Sequence, residues 1–480
     1  MKSAKRDTHF CTNERETANK MKHNLLEGNV EKLVIKTAVP MVVAQLVNML
    51  YNIVDRIFVG KIPEIGAVAL GGIGIYLPIN ILLMAVSLLF GAGGAPQAAI
   101  AMGRGDQNKA EKYLGCCVLP LVISGIFFSL ILFFGGESIL PLFGATEANL
   151  QYSVAYVNII CVGIPFSMLI TGLNTFINTQ GKTFIGMVSV IIGAVINIVL
   201  DAVFVLVLDM GVAGAAWATV IGQIVSAVWV VGFLASGHSA IRIRMKHLIP
   251  NLKMLGSVTS LGISSFITTG AESLVNIVLN YSLKKYGALA LTGYIVDGAT
   301  LAMSAATIIT STSSFIRLPI NGFSQGLQPV ISYNYGGDRT DRVKRAIRFA
   351  IVVTTSYAAV LWGILMITPT TFTQLFTDSA EVVAVSGNLI RVYILGMILS
   401  GIQSTMVQAF SARGMRKHSL IISLLCKGLY VPLLLILPML VSSKYSLMAI
   451  YAAQAVTDVV STVISLGLYK RTETHPVTQK

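Results

Sequence analysis

"MGRGDQNKAEK" (Met102–Lys112) and "NYGGDRTDRVK" (Asn334–Lys344) fall on one another when the chain is slid against itself by 232 residues, pairing Gly105–Asp106 with Gly337–Asp338 and Lys112 with Lys344. Working outward at an offset of 232 to 233, Gly66–Ala67 falls on Gly298–Ala299, Gly94 on Gly326, Leu142–Phe143 on Leu375–Phe376, Gly163 on Gly396 and Gly181 on Gly414. A register held over more than a hundred residues marks an internal duplication.

The duplicated unit belongs in a membrane. Of 480 residues, 54% are hydrophobic and only 12% charged, and the mean hydropathy is +0.75. Soluble domains carry about 25% charged residues. Twelve runs long enough to cross about 30 Å of hydrocarbon as helices are expected at 33–58, 67–101, 114–134, 151–178, 186–208, 212–236, 257–282, 298–333, 347–368, 386–411, 419–441 and 447–468. The expected fold is an all-α integral membrane protein. Six spans per half is an even number, so both halves enter the bilayer in the same sense, related by a pseudo-twofold axis along the membrane normal. The domain reading is a polar tail at 1–32, a six-helix lobe at 33–236, a linker at 237–256, a second lobe at 257–468 and a tail at 469–480. The first tail has neither the apolar core nor the small-residue cleavage site of a signal peptide.

Charge placement supplies the orientation. Among 35 Lys and Arg, four lie on one side (Lys61, Lys284, Lys285, Lys444), four within spans (Arg56, Arg317, Arg391, Lys427), and the remaining 27 on the other side. The positive-inside rule makes that side cytoplasmic, with both termini in the cytoplasm of a multi-pass protein of the cell (inner) membrane. The net charge of +14 is thereby a topology signal and not a nucleic-acid footprint. The five cysteines (Cys11, Cys116, Cys117, Cys161, Cys426) show no metal-binding or disulfide spacing.

Polar residues inside the spans are few and patterned. Gln45, Asn48, Asn52 and Asp55 are spaced 3, 4 and 3 apart, on one helical face. In "NIVLDAVFVLVLD" (Asn197–Asp209), Asn197 and Asp201 are one turn apart and the amide can hydrogen-bond the carboxyl in either protonation state. Intramembrane ionisable residues turn inward, and burial disfavours the charged form, so such a carboxyl can take up and release a proton. The bland alternative is that Asp201 and Asp55 pin helices together. Against it, an offset of 233 maps Asp201 onto Leu434 and Asn197 onto Tyr430, whereas an architectural residue would recur in both halves. The seventh span carries Ser265, Thr269, Glu272 and Asn276; with the insertion between repeats placed in the loop at 284–299, Asn276 falls opposite Asp55. Glu272 and Asn276, with Gln45, Asn48 and Asn52, are candidates for a substrate or second ion site. Lys427 and Asp458 are candidates for a pair across the last two spans, and "RLPINGFSQG" (Arg317–Gly326) reads as a broken helix.

The motifs "YNIVDRIFVGK" (Tyr51–Lys61), "GAGGAPQAAIAMGRGDQNKAEK" (Gly91–Lys112), "GLNTFINTQGKT" (Gly172–Thr183), "NIVLDAVFV" (Asn197–Val205), "GVAGAAWATVIGQ" (Gly211–Gln223) and "GFSQGLQPVISYNYG" (Gly322–Gly336) together resemble the multidrug and toxic compound extrusion family. The resemblance implies an exporter of cationic or amphipathic drugs driven by protons or sodium, with Asp55, Asn197, Asp201 and Thr219 around the ion site; the buried carboxyls make protons the expected coupling ion of an antiporter working by alternating access. The tenth span, which in another branch of the family carries an acidic residue, here has Arg391. No cofactor other than the coupling H+ or Na+ is implied. Expected partners are small-molecule substrates and membrane lipids, with the chain acting as a monomer. A phosphate loop is lacking, since "GKT" at 181–183 follows Phe176 where glycine is needed. A lipid or oligosaccharide flippase is the rival within transport; a membrane-embedded transferase is the rival as an enzyme, and the six histidines, scattered through tails and loops, form no catalytic constellation for it.

Overall fold

The computed structural model describes residues 26–60, 66–143, 145, 147–249, 251–291, 298–374 and 379–474. Most of the N-terminal tail, with His9, Cys11 and His23, as well as Lys61 and His475, lies outside the described residues. Helices α1 (Val30–Gly60), α2 (Gly66–Gly103), α3 (Gln107–Ile139), α4 (Glu147–Thr179), α5 (Thr183–Asp201) and α6 (Gly211–Ala235) make the first half. They are followed by α7 (Leu252–Ala290), α8 (Gly298–Gly336), α9 (Thr340–Ile367), the short α10 (Pro369–Gln374), α11 (Ala380–Ile394), α12 (Ser400–Ala412), α13 (Arg416–Gly428), α14 (Tyr430–Ile436) and α15 (Ser446–Thr474). No strand occurs among the described residues. Ten of these helical stretches are long and apolar enough to cross a membrane, and α11 with α12, bent by 45° at Gly396, make an eleventh. The remaining expected span, α8, is equally long but rich in Ser and Thr. It runs unbroken through Pro319, against the expectation of a break: one proline removes one amide donor, and the neighbouring turns hold the helix together.

The chain forms two compact units. The first comprises residues 1–269, 326–346 and 412–414, and the second 270–325, 347–411 and 415–480. The first unit has two apolar cores. One gathers Tyr76, Leu140, Tyr156, Ile160, Val212 and Val220; the other, at the end bearing the basic loops, gathers Ala98, Leu114, Phe176, Leu234, Ile241 and Tyr333. The second unit is built on Leu283, Ile309, Ile390, Tyr430 and Tyr451.

The duplication is written in the backbone of the first unit. A Cβ added to Gly103 would overlap the Tyr333 carbonyl, and one added to Gly336 would overlap the Ile100 carbonyl. The two contacts are the same contact seen from either half, with 103 and 336, and 100 and 333, each 233 apart. A second reciprocal pair joins them: Gly93 abuts the Val258 carbonyl on α7, while Gly326 abuts the Thr37 carbonyl on α1. Self-complementary contacts of this kind are what a twofold axis produces, and 37 and 258 differ by 221, the offset that places Asn276 opposite Asp55.

The same geometry corrects the register of the motif that reveals the repeat. The turn after α2 has Gly105 N–H bonded to the Met102 carbonyl and Asp106 N–H to Ala101, and the turn after α8 has Asp338 N–H bonded to Tyr335 and Arg339 N–H to Asn334. These match at 233, not 232. Gly105 and Asp338 both take the left-handed conformation, at φ 84° and 56°. Asp106 then caps α3 by accepting the Lys109 amide at 3.0 Å, whereas its structural equivalent is Arg339. Gly–Asp lines up with Gly–Asp in sequence although the two aspartates do different jobs.

Basic loops close the same end. Glu111, buried on α3, receives Arg244 Nε at 2.6 Å. Buried Gln180 accepts the Ser239 hydroxyl and the Ala240 amide at 3.0 and 2.7 Å. The linker is thus tied beneath α3 and α4.

Candidate functional site

Asp201 lies where α5 changes its winding. After it, Ala202–Val207 forms a π-helical turn, with the Leu208 amide bonded five residues back to Val203 at 2.9 Å. Such turns insert an extra residue into a helix and are frequent at functional sites. Asp201 is fully buried, Asn197 and Thr219 nearly so.

The side chains form a directed chain of hydrogen bonds. With the Asn197 amide oriented to satisfy both neighbours, its Nδ2 donates to Asp201 Oδ2 at 3.1 Å and its Oδ1 accepts from Thr219 Oγ1 at 3.2 Å. The Tyr156 hydroxyl from α4 lies beside Thr219. On its other side the Asp201 carboxyl lies beside the carboxyl of Asp55, brought from α1. Two carboxyl groups this close repel one another when both are ionised and can hydrogen-bond to one another when one carries a proton.

Gln45, half-buried, and Asn48, exposed, continue the face of α1 that ends in Asp55; the Asn52 side chain lies outside the described residues. Tyr156 is a member of the cluster that spacing does not reveal, since a tyrosine in an apolar span reads as core. Tyr76 packs edge-on against its ring at 5.9 Å between centroids, and Tyr51 from α1 adjoins Tyr156. Aromatic walls around a carboxyl pair exclude water without adding charge.

The second unit holds charges of its own, paired otherwise than expected. Lys427 Nζ is 3.2 Å from Glu272 Oε1, and Arg317 Nη2 is 3.9 Å from Asp458 Oδ2. Lys427 and Asp458 are therefore not partners: α8 supplies an arginine to the aspartate, and α7 a glutamate to the lysine. Asp458 Oδ1 also accepts Gln454 Nε2 at 2.7 Å, and Gln403 donates to Ser461 at 2.6 Å. Glu272 and Asn276, one turn apart on α7, are both exposed. Arg391, at the end of α11, donates to the Met366 carbonyl at 3.4 Å. No group of His, Cys, Asp and Glu able to hold a transition metal occurs among the described residues.

A duplicated all-helical membrane architecture with a close carboxyl pair inside it is that of a transporter, and the comparisons with known proteins agree on the class. The MatE family profile matches residues 40–203 and 288–436. The chain belongs to that family and is a multi-pass membrane protein. It is 24% identical over 445 residues to the multidrug export protein MepA of Staphylococcus haemolyticus strain JCSC1435, covering 93% of this chain and 95% of that one. It is 23% identical over 412 residues to MepA of Staphylococcus aureus strain MSSA476, covering 85% and 87%. Its fold is that of a multidrug resistance MATE family transporter of the MOP superfamily solved in an outward-facing conformation, with a TM-score of 0.83 at 20% identity over 94% of this chain and 97% of that one. It also matches a MOP superfamily transporter from Pyrococcus furiosus Vc1 described as having a binding pocket of reversed polarity, with a TM-score of 0.84 at 19% identity over 95% and 98%.

Proposed function

We propose that the chain is a multidrug exporter of cationic or amphipathic compounds, driven by inward movement of protons through the Asp55–Asp201 pair. The observation that carries the reading is the juxtaposition of two carboxyl groups inside the helices, with Asp201 fully buried and hydrogen-bonded through Asn197 to Thr219. Protonation neutralises the pair and weakens the need for donors around Asp201; loss of the protons sets two like charges side by side. Either event alters the packing of α1 on α5, which is how a proton gradient drives alternating access. A membrane potential supplies about 2.3 kcal/mol per charge per 100 mV, and no nucleotide is required. The names of the staphylococcal relatives support drug export, and the basic loops support a cytoplasmic placement of both ends in the cell membrane.

The test is dye efflux from proteoliposomes. A pH gradient, with sodium absent, drives efflux by the unaltered chain, and Asp201→Asn abolishes it. Full efflux by that variant, or efflux driven by sodium alone, overturns proton coupling.

A further inference from the structure

The Glu272–Lys427 pair is not used by the proton pathway, and its geometry is lopsided. Glu272 stands near the middle of α7, yet its side chain is 51% exposed, while the Lys427 side chain is 16% exposed. A charge at mid-span does not face lipid, so the open side of the carboxylate faces water. An ion pair retained for architecture is enclosed on both sides; here the cation plugs the inner side of an anion whose outer side is free. Arg317 stands within electrostatic reach of Glu272 and is already matched by Asp458. The four charges sum to zero.

Lys427 is also placed to let go. It occupies the last turn of α13, next to Gly428, and the helix is interrupted at Leu429 before α14 begins at Tyr430. The closing bond there, Leu429 N–H to the Leu425 carbonyl, is long at 3.4 Å. An ammonium on a flexible four-carbon stem, beside this local distortion, can swing away from the carboxylate.

We infer that Lys427 is a resident counter-cation of Glu272, which a lipophilic monocation must displace to bind there, so that this lysine sets the affinity of the site for cationic substrates. The inference rests on the export function proposed above. Displacement leaves three positive charges facing two negative ones, so each bound monocation meets a penalty that the lysine imposes. Removing the lysine removes the penalty.

The experiment measures binding of tetraphenylphosphonium, a permanent cation with no hydrogen-bonding group, to the purified full-length chain. Lys427→Gln and the longer apolar Lys427→Met are expected to bind it about tenfold more tightly, Lys427→Arg as the unaltered chain does, and Glu272→Gln at least tenfold more weakly. Unchanged or weaker binding in both Lys427→Gln and Lys427→Met overturns the inference, as does unchanged binding in Glu272→Gln. If the unaltered chain exports dyes while these variants all bind alike, the inference fails and the export reading stands. If it neither binds nor exports any cation, both fail.

Discussion

Gly103 and Gly336 face one another so closely that a methyl group on Gly103 would stand 3.0 Å from the Gly336 Cα. They are the same position in the two copies of the repeat, and each has the backbone of the other's helix where a side chain would go. The ends of α2 and α8 meet there as bare backbone.

Gly336→Val should therefore force the two helices apart. Overpacking of this kind costs about 1–3 kcal/mol, and a branched side chain against backbone has no rotamer with which to escape. The expected result is a lower melting temperature of the purified protein together with loss of dye efflux. An unchanged melting curve would show that this end of the bundle tolerates separation.

Asp55 and Asp201 act as one titrating unit if they share a proton, and residues that act as a unit give non-additive losses. Asp55→Asn, Asp201→Asn and the double variant are each expected to lower proton-driven efflux to the same floor. Losses that multiply in the double variant would mean two independent sites.

Half-buried Arg317 is the cationic partner of fully buried Asp458, so that removing the arginine strands the aspartate. Arg317→Met should cost about 3–5 kcal/mol, and adding Asp458→Leu should recover most of it. Thermal melts of the three variants provide the measurement; a double variant worse than Arg317→Met would place the role of Asp458 outside the pair.

Asp338 holds φ at 56°, a conformation that costs a non-glycine residue about 1–2 kcal/mol and aspartate somewhat less. Asp338→Gly, restoring what the first repeat has at Gly105, is expected to raise the melting temperature slightly, and Asp338→Val to lower it. The opposite order would indicate that the aspartate side chain secures the turn.

Much of the bundle was legible because hydrophobic length and charge asymmetry are properties of the chain itself. The polar faces of α1 and α5 follow from helical phase alone. What phase does not tell is which neighbour a face meets: Asp55 reaches Asp201, while Lys427 turns to Glu272 and leaves Asp458 to Arg317. Charges inside a membrane pair by proximity across helices, and similar one-turn spacings permit several pairings. The register of the repeat slipped for a different reason. Gly–Asp is favoured both as a left-handed residue followed by a helix cap and as a simple turn, so matching letters concealed a shift of one residue. The π turn left no mark at all, since an inserted residue in an apolar run is another apolar residue.

That inserted residue has a consequence for motion. Each residue of an α-helix advances the side chains by about 100°, so one extra residue between Asp201 and the end of Ala202–Val207 rephases everything beyond it. The lower part of α5 presents Asp201 to Asn197 and Asp55, while the upper part obeys a separate phase that buries Val205. If the surplus residue passes to the next turn, the segment between swivels by that angle while the rest of the bundle stays still. Asp201 thus has beside it a slipping joint, through which a change of one hydrogen bond would become rotation of a side-chain row.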